Sequence, residues 1–193
     1  MKKTLTIVLA FVLVIAMSVA GTFAYLTSQD SVTNTFTVGK VAITLDETDV
    51  DSYGVKDGDT PVKENGYTIV PGHSYIKDPV VHFQTESEAS YLFIKVVNPI
   101  SDIESKDAAY KSIATQITDN GWTLLSGETG VYYQKVAANN GTTVVDYKVF
   151  EGFTIDGTAT LAATYADVTV TAYAIQADGF ADAAAAWDAG NFT

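Results

Sequence analysis

The sequence predicts a mainly β protein: an antiparallel β-sandwich carrying one or two short helices, preceded by a cleavable signal helix. Three observations carry this expectation. β-Branched and aromatic residues come in short runs separated by Gly, Asn, Asp and Pro, the pattern of strands and turns. Two stretches, Ser105 to Ile117 and Ala177 to Ala189, carry apolar residues at helical spacing instead. The first residues run basic, apolar and small, in that order.

Lys2 and Lys3 precede an uncharged apolar run from Leu5 to Val19. That run is shorter than the roughly twenty residues of a permanent membrane helix, and polar residues follow it directly. Residues 1–24 are therefore read as a signal peptide and 25–193 as a single β-sandwich domain. Cleavage needs small side chains one and three positions before the cut. Ala24 and Thr22 supply them, leaving Tyr25 as the first mature residue, while Ser18 and Ala20 offer an earlier cut. The expected address is secreted, in the extracellular matrix or at the cell surface, with membrane contact only transient and through the signal peptide.

The formal charge of −12 becomes −14 once residues 1–24, with two lysines and no acid, are removed. A chain so acidic is not expected to bind nucleic acid. Cysteine is absent, which excludes disulfides, thiolate metal sites and thiol nucleophiles. Burial and hydrogen bonding must hold the domain together.

Taken in order, Phe36 and Val38 share one parity, and Val41, Ile43 and Leu45 the other. Such a change flips the buried face, with Gly39 placed to absorb the slip. Asp46 to Asp59, with Gly54 and Gly58, has no apolar periodicity and reads as a solvated loop. Asn65-Gly66 turns into Tyr67 to Val70, Pro71-Gly72 punctuates, and Ser74 to Gln84 resumes extended character. Tyr91 to Asn98 is apolar on both faces, as a covered central strand would be. Trp122 to Leu125, Val131 to Val136, Thr142 to Ile155 and Val168 to Gln176 read as further strands. The final helix, with Phe180, Ala184 and Trp187 on one side, is expected to dock by Trp187, and both tryptophans are expected in the core.

Gly21 to Ser28 and Asn34 to Val41 resemble the start of the TasA and camelysin family, whose signal peptides are of the SipW-dependent type. Val70-Pro71-Gly72-His73, Lys77-Asp78-Pro79, Tyr91 to Val96 and Thr171 to Phe180 are similar to the clostridial branch of such exported proteins. The resemblance implies a jelly-roll-like sandwich that polymerises into biofilm-matrix fibres. Its expected partners are further copies of itself, related matrix proteins and a dedicated SipW-type signal peptidase. It further implies that the segment 25–38 is a donor strand, filling a groove in the next subunit. Val32, Asn34, Phe36 and Val38 would form one face of it and Ser31, Thr33, Thr35 and Thr37 the other. The alternative is an ordinary first strand of its own domain.

Some relatives carry a metallopeptidase label, a reading that would require metal-ligating or catalytic residues. His73 and His82 are the only histidines, and no H-E-x-x-H pattern accompanies them. They read as turn and surface histidines. Asp49, Asp51, Asp57 and Asp59 offer oxygen ligands for calcium, but an EF-hand register started at Asp49 places Tyr53 fifth and Thr60 twelfth, where an oxygen ligand and a glutamate are required. Lys95, in an apolar strand, suggests either an isopeptide crosslink or a stem lying along apolar surface. The chain is read as a structural protein without cofactor and without enzymatic activity. A monomeric module binding glycan or another surface is the alternative, and a camelysin-type metallopeptidase the third reading.

Overall fold

The computed structural model describes residues 38–192 apart from Asp107. Their strands are β1 (Ile43–Asp46), β2 (Ser74–Ile76), β3 (Val80–Phe83), β4 (Ser90–Val97), β5 (Thr123–Leu124), β6 (Val131–Val136), β7 (Val145–Lys148), β8 (Gly152–Thr154) and β9 (Thr169–Gln176). Two helices, α1 (Ile113–Asp119) and α2 (Ala183–Gly190), complete the elements. All strand pairings are antiparallel, in the orders β5-β6-β4-β9, β1-β3-β7 and β2-β8.

β4 is the strand that the sequence marks as covered on both faces, and it lies between β6 and β9. Leu92 and Ile94 point into a core shared with Val81 and Phe83 of β3, so the three- and four-stranded sheets face one another. Tyr91 and Phe93, of the opposite parity, pack with Ala183, Ala186 and Trp187 of α2. The Trp187 ring lies 5.2 Å from that of Phe93 and 5.7 Å from that of Tyr173. Asp182 starts α2 by accepting from the Ala185 N–H at 2.9 Å, and Asn191 ends it in the left-handed conformation. Trp122 is buried as well, its indole N–H donating to the Lys148 carbonyl at 2.8 Å.

The two long extended stretches each divide in two. Ser74 to Gln84 gives β2 and β3, and Thr142 to Ile155 gives β7 and β8, because both bend at the same place. β2 pairs with β8 and β3 with β7. Across the bend the Val149 N–H donates to the Pro79 carbonyl and the Lys77 N–H to the Glu151 carbonyl. The stretches thus form one ribbon, folded at Lys77–Pro79 and Val149–Glu151 so that its halves serve different sheets.

Three further expectations are corrected. Tyr67 to Val70 joins no ladder; the Tyr75 hydroxyl donates to the Thr68 carbonyl and accepts from the Val70 N–H, replacing strand partners. The helix expected from Ser105 begins at Ile113, with Ser112 as N-cap accepting from the Thr115 N–H. Ser105 is drawn instead toward β8, its N–H donating to the Thr154 carbonyl. The acidic loop is folded rather than merely solvated: Asp51 accepts from the N–H groups of Tyr53 and Val55, and Val50 bridges to Lys56. Gly54 completes this turn at φ +73°, where a Cβ would also meet the Tyr75 backbone at 2.7 Å.

His82 was expected at the surface and is instead three-quarters buried in the middle of its sheet, clamped across strands. Its Nε2 is 2.9 Å from Asp46 of β1 and its Nδ1 2.6 Å from Asp146 of β7. Burial alone would lower its pKa, but the hydrogen bonds and charges of Asp46 and Asp146 outweigh it and raise it above the ordinary 6.5.

Two outcomes follow from this packing. Phe93→Ala and Trp187→Ala should each cost about 3 kcal/mol or more in denaturant unfolding, and the double variant should lose less than the sum, since the two rings share one contact. A raised histidine pKa stabilises the fold fully below the unfolded-state value, and the gain is lost as pH rises through the folded value. His82→Gln should therefore be destabilised relative to the parent by up to about 1 kcal/mol near pH 6, with Asp146 screened by water. The difference should shrink toward about pH 9 as the parent's imidazole loses its proton.

Candidate functional site

The sandwich is open along one side. β1 and β9 are edge strands of their sheets, and a groove of about 800 Å³ is lined by Leu45 and Asp46 of β1 and by Thr169 and Val170 of β9. Ile100 and Phe153, each 2% exposed, lie at its floor. Tyr67 and Ile69 add apolar surface from the segment before β2, and Leu161, Tyr165 and Val168 from the segment before β9. An edge strand presents main-chain donors and acceptors that invite another strand. At β1, the Lys63 amine reaches the Leu45 carbonyl at 3.0 Å, a charged group on the edge.

One part of the lining is polar and closely knit. Glu47, 6% exposed, ion-pairs with Lys77, 8% exposed, at 2.8 Å between Oε2 and Nζ. Its other oxygen accepts from Asn65 Nδ2 at 2.9 Å. The same Nδ2 donates to the Thr48 carbonyl at 2.9 Å, and Asn65 Oδ1 accepts from the Val50 N–H at 3.1 Å. Beside them Asp78 accepts from the Thr48 N–H and hydroxyl, and the Lys77 amine lies 6.0 Å from the Tyr67 ring centre. Burial, reinforced by the charges of Glu47 and Asp78, pushes the Tyr67 hydroxyl pKa well up. Its hydroxyl donates to the Ile76 carbonyl at 3.0 Å. Glu47 and Asn65 belong to stretches that read only as a loop and a turn, and Lys77 to a short motif; the sequence carries no periodic signal joining them.

Of the residues singled out from the sequence, Thr22, Ala24, Tyr25, Val32, Asn34 and Phe36 lie outside the described residues. Val38, the first described residue, is exposed. Asp49, Asp51, Asp57 and Asp59 do share one loop, in which the carboxylates of two are engaged in holding it: Asp51 supports the turn and Asp59 pairs with Lys56 at 2.7 Å, while Asp49 and Asp57 meet through a main-chain hydrogen bond. The Lys56 ammonium holds the Asp59 carboxyl below its usual range. His73 Nε2 is 2.9 Å from the Tyr53 carbonyl, and both ring nitrogens of His82 face carboxylates. Among the described residues no group of three or more His, Asp or Glu is arranged to hold a metal ion, and no helix is long and apolar enough to cross a membrane.

No curated protein and no solved structure matches the chain significantly. A family model does, that of the camelysin metallo-endopeptidase, over residues 1–70 of the 193. The matched stretch includes β1, the acidic loop, Glu47 and Asn65 and stops before Lys77. It supports, over the part of the chain that it covers, the TasA/camelysin kinship carried by the sequence motifs.

Proposed function

We propose that the chain is a secreted structural protein whose mature form polymerises into extracellular matrix fibres, with residues 25–38 of one copy laid into the groove of the next. The observation that carries this reading is the groove itself, bordered by two edge strands and holding an apolar patch of Tyr67, Ile69, Ile100, Phe153 and Leu161 within a mixed polar and apolar lining. An incoming strand gains main-chain hydrogen bonds along an edge, while alternate side chains fill the apolar floor. The alternation of Val32, Phe36 and Val38 with Ser31, Thr33, Thr35 and Thr37 suits such a site. On this reading a SipW-type signal peptidase frees Tyr25, so that processing and assembly are coupled outside the cell.

The family whose model matches residues 1–70 is named for a metallopeptidase, which keeps an enzymatic reading in the comparison. Against it stands the use of both histidines in internal hydrogen bonds. Zinc bound in stoichiometric amount, with peptide cleavage lost in His73→Ala or His82→Ala, would favour the enzyme.

Electron microscopy of the secreted protein is expected to show filaments. Deletion of residues 25–38, or Val170→Lys in the groove, should leave a folded monomer with unchanged far-ultraviolet circular dichroism. Filaments formed by the deleted protein would exclude the donor-strand reading. A parent chain that stays monomeric at every concentration while binding glycan would favour the surface-binding module.

A further inference from the structure

The groove wall holds the parts of a second chemistry, independent of whether fibres form. We propose that Lys77 and Asn65 are joined by an intramolecular isopeptide bond, formed by the protein itself with Glu47 as the proton shuttle. The nucleophile and the carboxamide are each held by the acid–base group: Lys77 Nζ and Asn65 Nδ2 are hydrogen-bonded to the two oxygens of one buried carboxylate, at 2.8 and 2.9 Å. Two groups held on one carboxylate react as an intramolecular pair, with most of the entropy of encounter already lost. Among the described residues Lys77 is the lysine classed as buried, and Lys95, the crosslinking candidate by sequence, is only partly so.

The step balances without any external oxidant or activating group. Lys77 first passes a proton to Glu47 across their 2.8 Å contact, giving the neutral amine whose lone pair can act as nucleophile. The Nζ lone pair then attacks Asn65 Cγ, and the carbonyl electrons move to Oδ1. The Val50 N–H, already donating to Oδ1 at 3.1 Å, stabilises the charge that develops there. Glu47 delivers its proton to Nδ2, with which it is already hydrogen-bonded, and takes one from Nζ. The Cγ–Nδ2 bond breaks as the Cγ–Nζ amide forms, and the departing ammonia takes from Glu47 the proton that came from Nζ. Overall, one ammonium and one primary amide become one secondary amide and ammonium ion, and Glu47 ends as a carboxylate. The product closes the chain between residues 65 and 77 at the groove wall, a covalent constraint in a chain that has no cysteine to make one.

Intact-mass measurement of the secreted protein, followed by tryptic mapping, tests this. The expected mass is lower than the sequence requires by one ammonia, with a branched peptide joining the fragments that contain Asn65 and Lys77. Glu47→Gln and Lys77→Arg should both keep their full mass. A folded parent of full mass, with both residues recovered in linear peptides, overturns the proposal. Ammonia loss with trypsin still cutting after Lys77 also overturns it, since the loss would then be a succinimide at Asn65-Gly66. Both of these outcomes are read on the unaltered protein, so neither depends on a variant that folds.

Discussion

Burial on both faces of β4 sets the terms for everything around it. A strand whose neighbours on each side are other strands has its main-chain groups satisfied within the sheet, so each face is free to become core. Leu92 and Ile94 then require an opposing sheet, and β3 supplies it with Val81 and Phe83. Tyr91 and Phe93 require a second cover, and α2 supplies it with Ala186 and Trp187. In a chain without disulfides these two interfaces carry the load that crosslinks carry in many secreted domains. The polar atoms inside are not left to strain the core, for among the described residues every buried side-chain nitrogen and oxygen has a partner.

The parts of the fold that were legible in the sequence are those in which local pattern and tertiary role agree. β4, β6 and β9 announce themselves by β-branched and aromatic runs, and α2 by the spacing that brings Trp187 to its contact. What was not legible depends on partners far along the chain. The bend at Lys77–Pro79 exists because a second strand bends opposite it at Val149–Glu151, and nothing in either stretch alone marks the corner. The helical spacing upstream of Ile113 loses to hydrogen bonds with β8 and to the cap at Ser112. His82 looks like an alternating surface residue because its two carboxylates come from β1 and β7, 36 positions before it and 64 after it.

The site shows the same division. A groove is a property of two edges, β1 and β9, that meet only after the sandwich closes, and no local pattern in the chain marks it. The Lys77–Glu47–Asn65 cluster is less legible still. Composition made residues 46–59 a loop for water, whereas the fold turns Glu47 inward, where a carboxylate survives only with partners.

That cluster is difficult to account for by stability alone. Taking a lysine and a glutamate out of water costs several kcal/mol per ion, roughly what their attraction returns, and well-packed apolar residues commonly do as well. An apolar replacement would moreover extend the surface of the groove without a break. Instead the fold directs both oxygens of Glu47 to two nitrogens, and an N–H of the acidic loop to the carboxamide oxygen of Asn65. Each atom that must gain or lose a proton in forming an amide therefore has its partner in place, at the expense of a simpler core. A buried ion pair also asks for a donor to the second carboxylate oxygen, and the Asn65 carboxamide supplies it. Amide formation would use the same contacts, and it would fix the 65–77 segment beside the opening where β1 and β9 present their edges.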